Sequence, residues 1–301
     1  NCCSLTDQNV CPPAASPSPT LTPSTLEVEE GASVSLTCSA PAPCWSHPPA
    51  LTWSPNLGQS QETLQENQDK TKVRTSVKNF NASHLHHGNK ISCTAVYKKQ
   101  DGSADVTAEA SLTPDISYSP KNVTVSVSPS GPVPENLNVT LTCSSNANPA
   151  VENYTWYSAD GNQETFIGTG MNLSIKVSKD RRILFCKAGN EIGVGRSSSI
   201  QIEVQYPPQI LFSSHCTSTE SQLNCSCETL GNPSPNIQWY LNGLTVNHSK
   251  CEIFNETLNR TILRSFFTLN QPHKKNYLTL ICRTVNSLGS ASQQFCVSSQ
   301  Q

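Results

Sequence analysis

Apolar and polar residues alternate in short runs along the whole chain, and Gly, Pro, Asn and Asp close the runs, which is the pattern of half-buried β-strands separated by turns. A helical period is nowhere sustained. One block recurs three times: an alternating strand ending in Cys, then a Trp, then a second Cys. The copies are Val34-Ser-Leu-Thr-Cys38 with Trp53 and Ile91-Ser-Cys93, Val139-Thr-Leu-Thr-Cys143 with Trp156 and Leu184-Phe-Cys186, and Leu223-Asn-Cys225-Ser-Cys227 with Trp239 and Leu280-Ile-Cys282.

Two sheets packed about 10 Å apart can be bridged by one Cys from each inner face, with a Trp from the neighbouring strand against the sulfurs. The block therefore predicts an all-β chain of three tandem immunoglobulin-like β-sandwich domains (C2/I-type), each clamped between its two sheets. By loop entropy, a bridge closing about 50 residues contributes roughly 4 kcal/mol, large beside a domain's total of about 5–15 kcal/mol. Pro punctuates the strands at Tyr118-Ser-Pro120 and Tyr206-Pro-Pro208, fixing the backbone and removing amide donors. These short, stiff joints predict a rod with domains at 24–116, 117–205 and 206–301. Residues 1–23, with Cys2, Cys3, Cys11 and a Pro/Ser-rich run, are expected to be irregular. Two copies continue alike after the second Cys, as Cys186-Lys-Ala-Gly-Asn190-Glu-Ile-Gly193 and Cys282-Arg-Thr-Val-Asn286-Ser-Leu-Gly289. Tolerance of a left-handed backbone in a tight hairpin is the expected role of this Asn and Gly.

Nine Asn-x-Ser/Thr acceptors occur, at Asn81, Asn122, Asn138, Asn153, Asn172, Asn224, Asn247, Asn255 and Asn259. Their phase says more than their number. Asn122 is out of step with Val123, Val125 and Val127, and Asn138 with Val139, Leu141 and Cys143. Asn153 is likewise out of step with Tyr154 and Trp156, and Asn172 with Leu173 and Ile175. A glycan needs water, so outward acceptors on strands are what a secreted glycoprotein requires. Asn247, Asn255 and Asn259 crowd one region of the third module and predict a sugar-covered side, leaving a partner to bind elsewhere.

Composition places the chain in an oxidising compartment, because fourteen Cys among 301 residues would be a liability in a reducing cytosol. A net charge of -2 without a long Lys/Arg run gives no footprint for nucleic acid. No stretch of about 18 apolar residues occurs, and the chain opens at Asn1, so it is expected to be a piece of an ectodomain.

Two stretches carry a resemblance. Leu36-Thr-Cys38, Cys44, Pro48-Pro-Ala-Leu-Thr-Trp53 and His87-Gly-Asn-Lys-Ile-Ser-Cys93 are similar to the second domain of the sialic-acid-binding immunoglobulin-like lectins (Siglecs). Ser214-His-Cys216, Cys225-Ser-Cys227, Asn232-Pro-Ser-Pro235 and the Cys282 to Gly289 block resemble a membrane-proximal domain of that family. The repeated block predicts the bridges Cys38–Cys93 and Cys143–Cys186, while the resemblance implies Cys216–Cys225 and Cys227–Cys282 and gives Cys44 the place of a cysteine that bridges to an amino-terminal domain. It implies a glycosylated stalk for a cell-surface receptor, anchored by one span at the plasma membrane. Sialylated glycoconjugates would be bound by a V-type domain outside this chain. Arg74, Arg181, Arg182 and Arg196 lack that V-type context and are given no sialic-acid role. Another cell-surface protein, bound by an unglycosylated sheet face, is the alternative partner.

One of Cys2, Cys3 and Cys11 is expected to join Cys44 or a second chain, and Cys251 to pair with Cys296. His84, His86 and His87 suggest a metal site, but no carboxylate or thiol stands at ligand spacing, and solvated histidines in the turn before a strand are the expectation. Cys225-x-Cys227 reads as structural rather than redox-active, given Cys216 and Cys282 as partners. No catalytic motif is present, so neither enzyme activity nor a cofactor is expected.

Overall fold

The computed structural model describes residues 18–43, 47–98, 104–179, 183–219, 221–246, 251–270 and 278–297. Cys2, Cys3, Cys11, Cys44, Arg181, Arg182 and Asn247 lie outside them. Two compact units result, one running to Val123 with Ser144–Tyr154 and Lys187–Arg196, the other holding the remainder.

In the first unit, Val34, Leu36, Cys38 and Ala40 fall on one side of the strand Ser33–Pro41 and are all buried. This strand pairs with Lys72–Asn81, whose other neighbour is Ser60–Glu66, while Thr20–Thr22 completes the four-stranded sheet. A three-stranded sheet of Ala50–Ser54, Ile91–Tyr97 and Val106–Leu112 supplies the opposing wall. Cys38 and Cys93 join the two walls with Cα atoms 6.4 Å apart. Trp53 is the cross-strand partner of Cys93, and its indole N–H donates to the Ser76 hydroxyl at 2.9 Å.

The second unit repeats this plan. Gln222–Asn232, Ile262–Asn270 and Cys251–Thr257 form one sheet, with His215–Ser218 against its first strand. Asn236–Leu241, Leu278–Asn286 and Gly289–Val297 form the other, with Leu244–Thr245 at its edge. Leu223, Trp239, Phe267 and Leu280 fill the space between, around Cys227–Cys282 with Cα atoms 6.5 Å apart. Trp239 opposes Cys282, and its indole donates to the buried Ser265 hydroxyl at 2.9 Å. Cys216 and Cys225 are directly opposite on neighbouring strands of one sheet and are bridged there.

The intervening strands carry the Cys143–Cys186 bridge, with Cα atoms 6.3 Å apart. Trp156 is fully buried, and its indole donates to the Gly170 carbonyl at 2.9 Å rather than to a serine. Asn138–Asn148 pairs with Asn172–Lys176, and Asn153–Asp160 with Gln163–Thr169 through a bulge at Trp156 and Tyr157.

Three expectations are corrected. Thr20–Thr22, at the end of the stretch expected to be irregular, is an edge strand paired with Thr37 to Ser39, because Leu21 turns its side chain onto the core. Asn190 and Asn286 do not adopt positive φ, and neither do Gly193 and Gly289. Their role is a clamp. The Asn190 amide donates to the carbonyls of Tyr118 and Pro149, both at 2.9 Å, and its oxygen accepts from the Ile192 and Gly193 amides. Asn286 repeats this on Tyr206 and Pro233, both at 3.0 Å, and accepts from Leu288. The glycines let the entering strand press close: a Cβ on Gly193 would stand 3.2 Å from that of Ser119, and one on Gly289 3.1 Å from that of Pro207. Cys251 and Cys296 are not bridged to each other, because Phe295 packs inward on Trp239 and strand alternation turns the next residue, Cys296, out to solvent. Cys251 is buried in the core.

Candidate recognition surface

Glycosylation acceptors divide the faces of the sheets. In the second unit Asn224 stands on Gln222–Asn232, Asn255 on Cys251–Thr257, and Asn259 in the turn that follows. These three belong to one sheet and its turn. The opposite sheet carries no acceptor among its described residues. Because Trp239, Leu280, Cys282 and Phe295 point inward, alternation puts Tyr240, Ile281, Arg283 and Val285 on its outer face. Ile281 opposes Tyr240 and Gln294, and Arg283 opposes Gln238 and Ser292. Val285 is 40% exposed opposite Ser290. An aromatic ring, aliphatic side chains and an arginine, on a sheet without acceptors among its described residues, have the makeup of a protein-binding patch.

Asn122, Asn138, Asn153 and Asn172 are exposed, while Val123, Val139, Leu141 and Trp156 beside them are buried. Asn122 adopts φ 51°, a backbone that Asn accepts more readily than most residues. Asn81 ends the strand Lys72–Asn81 and is exposed, its side-chain oxygen accepting from Ser33 at 3.3 Å.

The histidines are not merely solvated. They form a 3-10 turn, His84–His86, not a strand, capped by Ser83 through a reciprocal pair with His86. His84 Nδ1 lies 2.7 Å from the Glu30 carboxylate, which also receives Lys121 Nζ at 2.7 Å. The Lys121 hydrogen bond, helped by those of His84 and opposed by burial, holds the Glu30 carboxyl at about 2. His87 Nδ1 accepts from the Ile116 amide at 3.1 Å, and both His84 and His87 lie against the Tyr118 ring. No group of His, Cys, Asp and Glu able to hold a metal exists among the described residues.

Arg74 is paired with Glu62, and Arg196 ends the short strand Val194–Arg196. The pattern of side-chain clamps and the outward placement of Cys296 were missed in the sequence. The repeated Tyr-x-Pro, Asn-Pro and Asn-x-x-Gly spacings were the signal for the first, and the parity of Phe295 for the second.

Residues 120–204 match the family model of the immunoglobulin domain. The chain is 33% identical to B-cell receptor CD22 of Mus musculus over 94 residues, 31% of this chain and 11% of that protein. It is 25% identical to myelin-associated glycoprotein of Homo sapiens over 281 residues, 89% of this chain and 40% of that protein. With neural cell adhesion molecule 1 of Mus musculus it shares 24% identity over 292 residues, 88% and 24% of the two. The chain thus spans less than half the length of each. Among solved structures, the crystal structure of Dpr2 Ig1-Ig2 in complex with DIP-Theta Ig1-Ig3 aligns at a TM-score of 0.49 and 15% identity, covering 93% of this chain and 98% of that one. Residues 120–204 thus match an immunoglobulin domain, and the chain is similar along most of its length to neural cell adhesion molecule 1 and to myelin-associated glycoprotein.

Proposed function

We propose that this chain is an extracellular part of an adhesion or recognition receptor of the Siglec type. Three modules, at 24–116, 117–205 and 206–301, would form a glycosylated stalk for a sialic-acid-binding domain outside the chain. One observation carries this reading: exposed acceptors on the strands alternate with a buried, disulfide-clamped interior, as in a chain that displays sugar rather than catalyses. The similarity to myelin-associated glycoprotein over 89% of the chain, and to CD22, supports the family. The test compares this chain with the full-length product on a panel of immobilised sialosides. Binding by the full-length product alone fits the stalk; binding by this chain alone overturns it.

A second reading rests on the bare sheet of the second unit, whose outer face offers Tyr240, Ile281 and Arg283. There the chain itself would bind another cell-surface protein. A sialidase-resistant interaction of this chain with cells would favour this reading.

A further inference from the structure

We propose that the N-glycan on Asn224 is a fixed part of the second unit, its first sugar lying on the half-buried Phe266 ring and covering its pair with the exposed Phe254. Phe254 is 64% exposed, and its ring stacks on Phe266 with centroids 6.2 Å apart and planes inclined by 26°. The strand registers arrange the outer face in three rows. Thr217, Asn224, Thr268 and Glu252 stand in the first. His215, Ser226, Phe266 and Phe254 follow, and Glu228, Arg264 and Glu256 close the patch with ion pairs. The apolar strip is therefore two rings wide between a polar row and a charged row, the size of a sugar rather than of a protein.

Asn224 is diagonal to Phe266 on this face, a separation of about 7–8 Å that a long substituent spans. Its amide is already oriented. Oδ1 accepts from the Thr268 hydroxyl at 3.0 Å, and Nδ2 donates to Gln222 Oε1 at 3.1 Å. A lipid-linked oligosaccharide diphosphate supplies the sugar: its anomeric C–O bond to phosphate breaks as the C–Nδ2 bond forms, and one amide proton is lost. In the resulting planar trans amide the sugar lies on the side of the carbonyl oxygen, toward the strand that carries Thr268 and Phe266. The remaining N–H keeps Gln222. The C–H groups of a sugar face suit the negative face of an aromatic ring. Asn255, although next to Phe254 in sequence, has the opposite parity and opposes Ser265, so its glycan leaves from elsewhere.

The test uses the whole chain secreted from mammalian cells. Glycopeptide mass spectrometry should find Asn224 occupied, and trimming all glycans to a single sugar should leave the melting temperature unchanged. Ser226→Ala, which keeps the asparagine but removes the acceptor, should lower it by about 4 °C or more, and Asn255→Gln should not. With Phe266→Ser in place, Ser226→Ala should have no further effect. Contacts between the first sugar's protons and phenylalanine ring protons in the trimmed wild type provide a reading independent of variant folding. An unoccupied Asn224 beside occupied acceptors elsewhere, additive variants, or absent contacts would overturn the proposal and leave the receptor reading standing; occupancy nowhere would overturn both.

Discussion

Ser265 and Ser76 have no polar role that their sequence positions announce, yet each receives the indole N–H of the tryptophan beside its bridge. Ser265 is fully buried, so removing its hydroxyl orphans a buried donor and should cost about 1–3 kcal/mol. Urea unfolding of Ser265→Ala checks this, and Ser265→Ala with Trp239→Phe should lose less than the two single losses added together. Glu30 makes a second prediction at this scale. Its carboxyl is held at about 2, below the ordinary 4.5, chiefly by Lys121, so the folded state favours the charged form. The stability it contributes is complete above about pH 4.5 and is lost as pH falls toward about 2. Lys121→Met removes the largest part of that contribution, so its urea midpoint should trail wild type at pH 7 and converge on it only as pH falls toward about 2. A gap that does not change with pH would rule out this linkage.

Among the elements, the asparagine clamp stands out because it recurs with the same parts. Asn148 and Asn232 donate to the carbonyls of Ile116 and Val204, both at 2.8 Å, and Asn190 and Asn286 take the carbonyls two residues further on. Asn286→Ala leaves the Tyr206 and Pro233 carbonyls without that donor and should cost about 1–3 kcal/mol in urea unfolding, whereas Asn286→Asp, which keeps only the acceptor, should not rescue it. Gly195→Ala should be more damaging still, since a Cβ there would lie 2.3 Å from the Pro120 carbonyl oxygen. The strands themselves were legible because alternation and the Cys-Trp-Cys spacing are local consequences of a two-sheet interior. Val34, Leu36 and Cys38 announce their inward face, and the outward phase of Asn138 follows from Val139. The clamp left only a repeated spacing, which does not say which backbone carbonyls the amide meets, because its partners lie about 40–80 residues away and carbonyls leave no mark in a sequence. Asn and Gly were assigned a backbone role they could fill, while the structure uses one as a donor and the other as empty space. The histidine turn misled for a related reason: three histidines in four residues suggest one shared chemistry, but each is consumed by a different neighbour.

Across the molecule, what separates the two functional readings is the distribution of sugar, and the bare sheet of the second unit permits a direct test. Its outer face is free of acceptors among the described residues, and alternation puts Ser290 on it, exposed and opposite Val285. Ser290→Asn completes an acceptor with Ser292 and would plant a glycan beside Ile281 and Arg283 without touching the inward set of Leu280, Cys282 and Phe295. The fold should therefore survive, with an unchanged melting temperature, while a bulky hydrated chain blocks close approach to the face. If the chain binds a protein through this sheet, Ser290→Asn should reduce cell binding at least tenfold in flow cytometry. Ser292→Ala added to it removes the acceptor and should restore binding. If the chain only carries a lectin domain, the full-length product with Ser290→Asn should bind sialosides as wild type does, because display by a stalk does not depend on contact at this sheet.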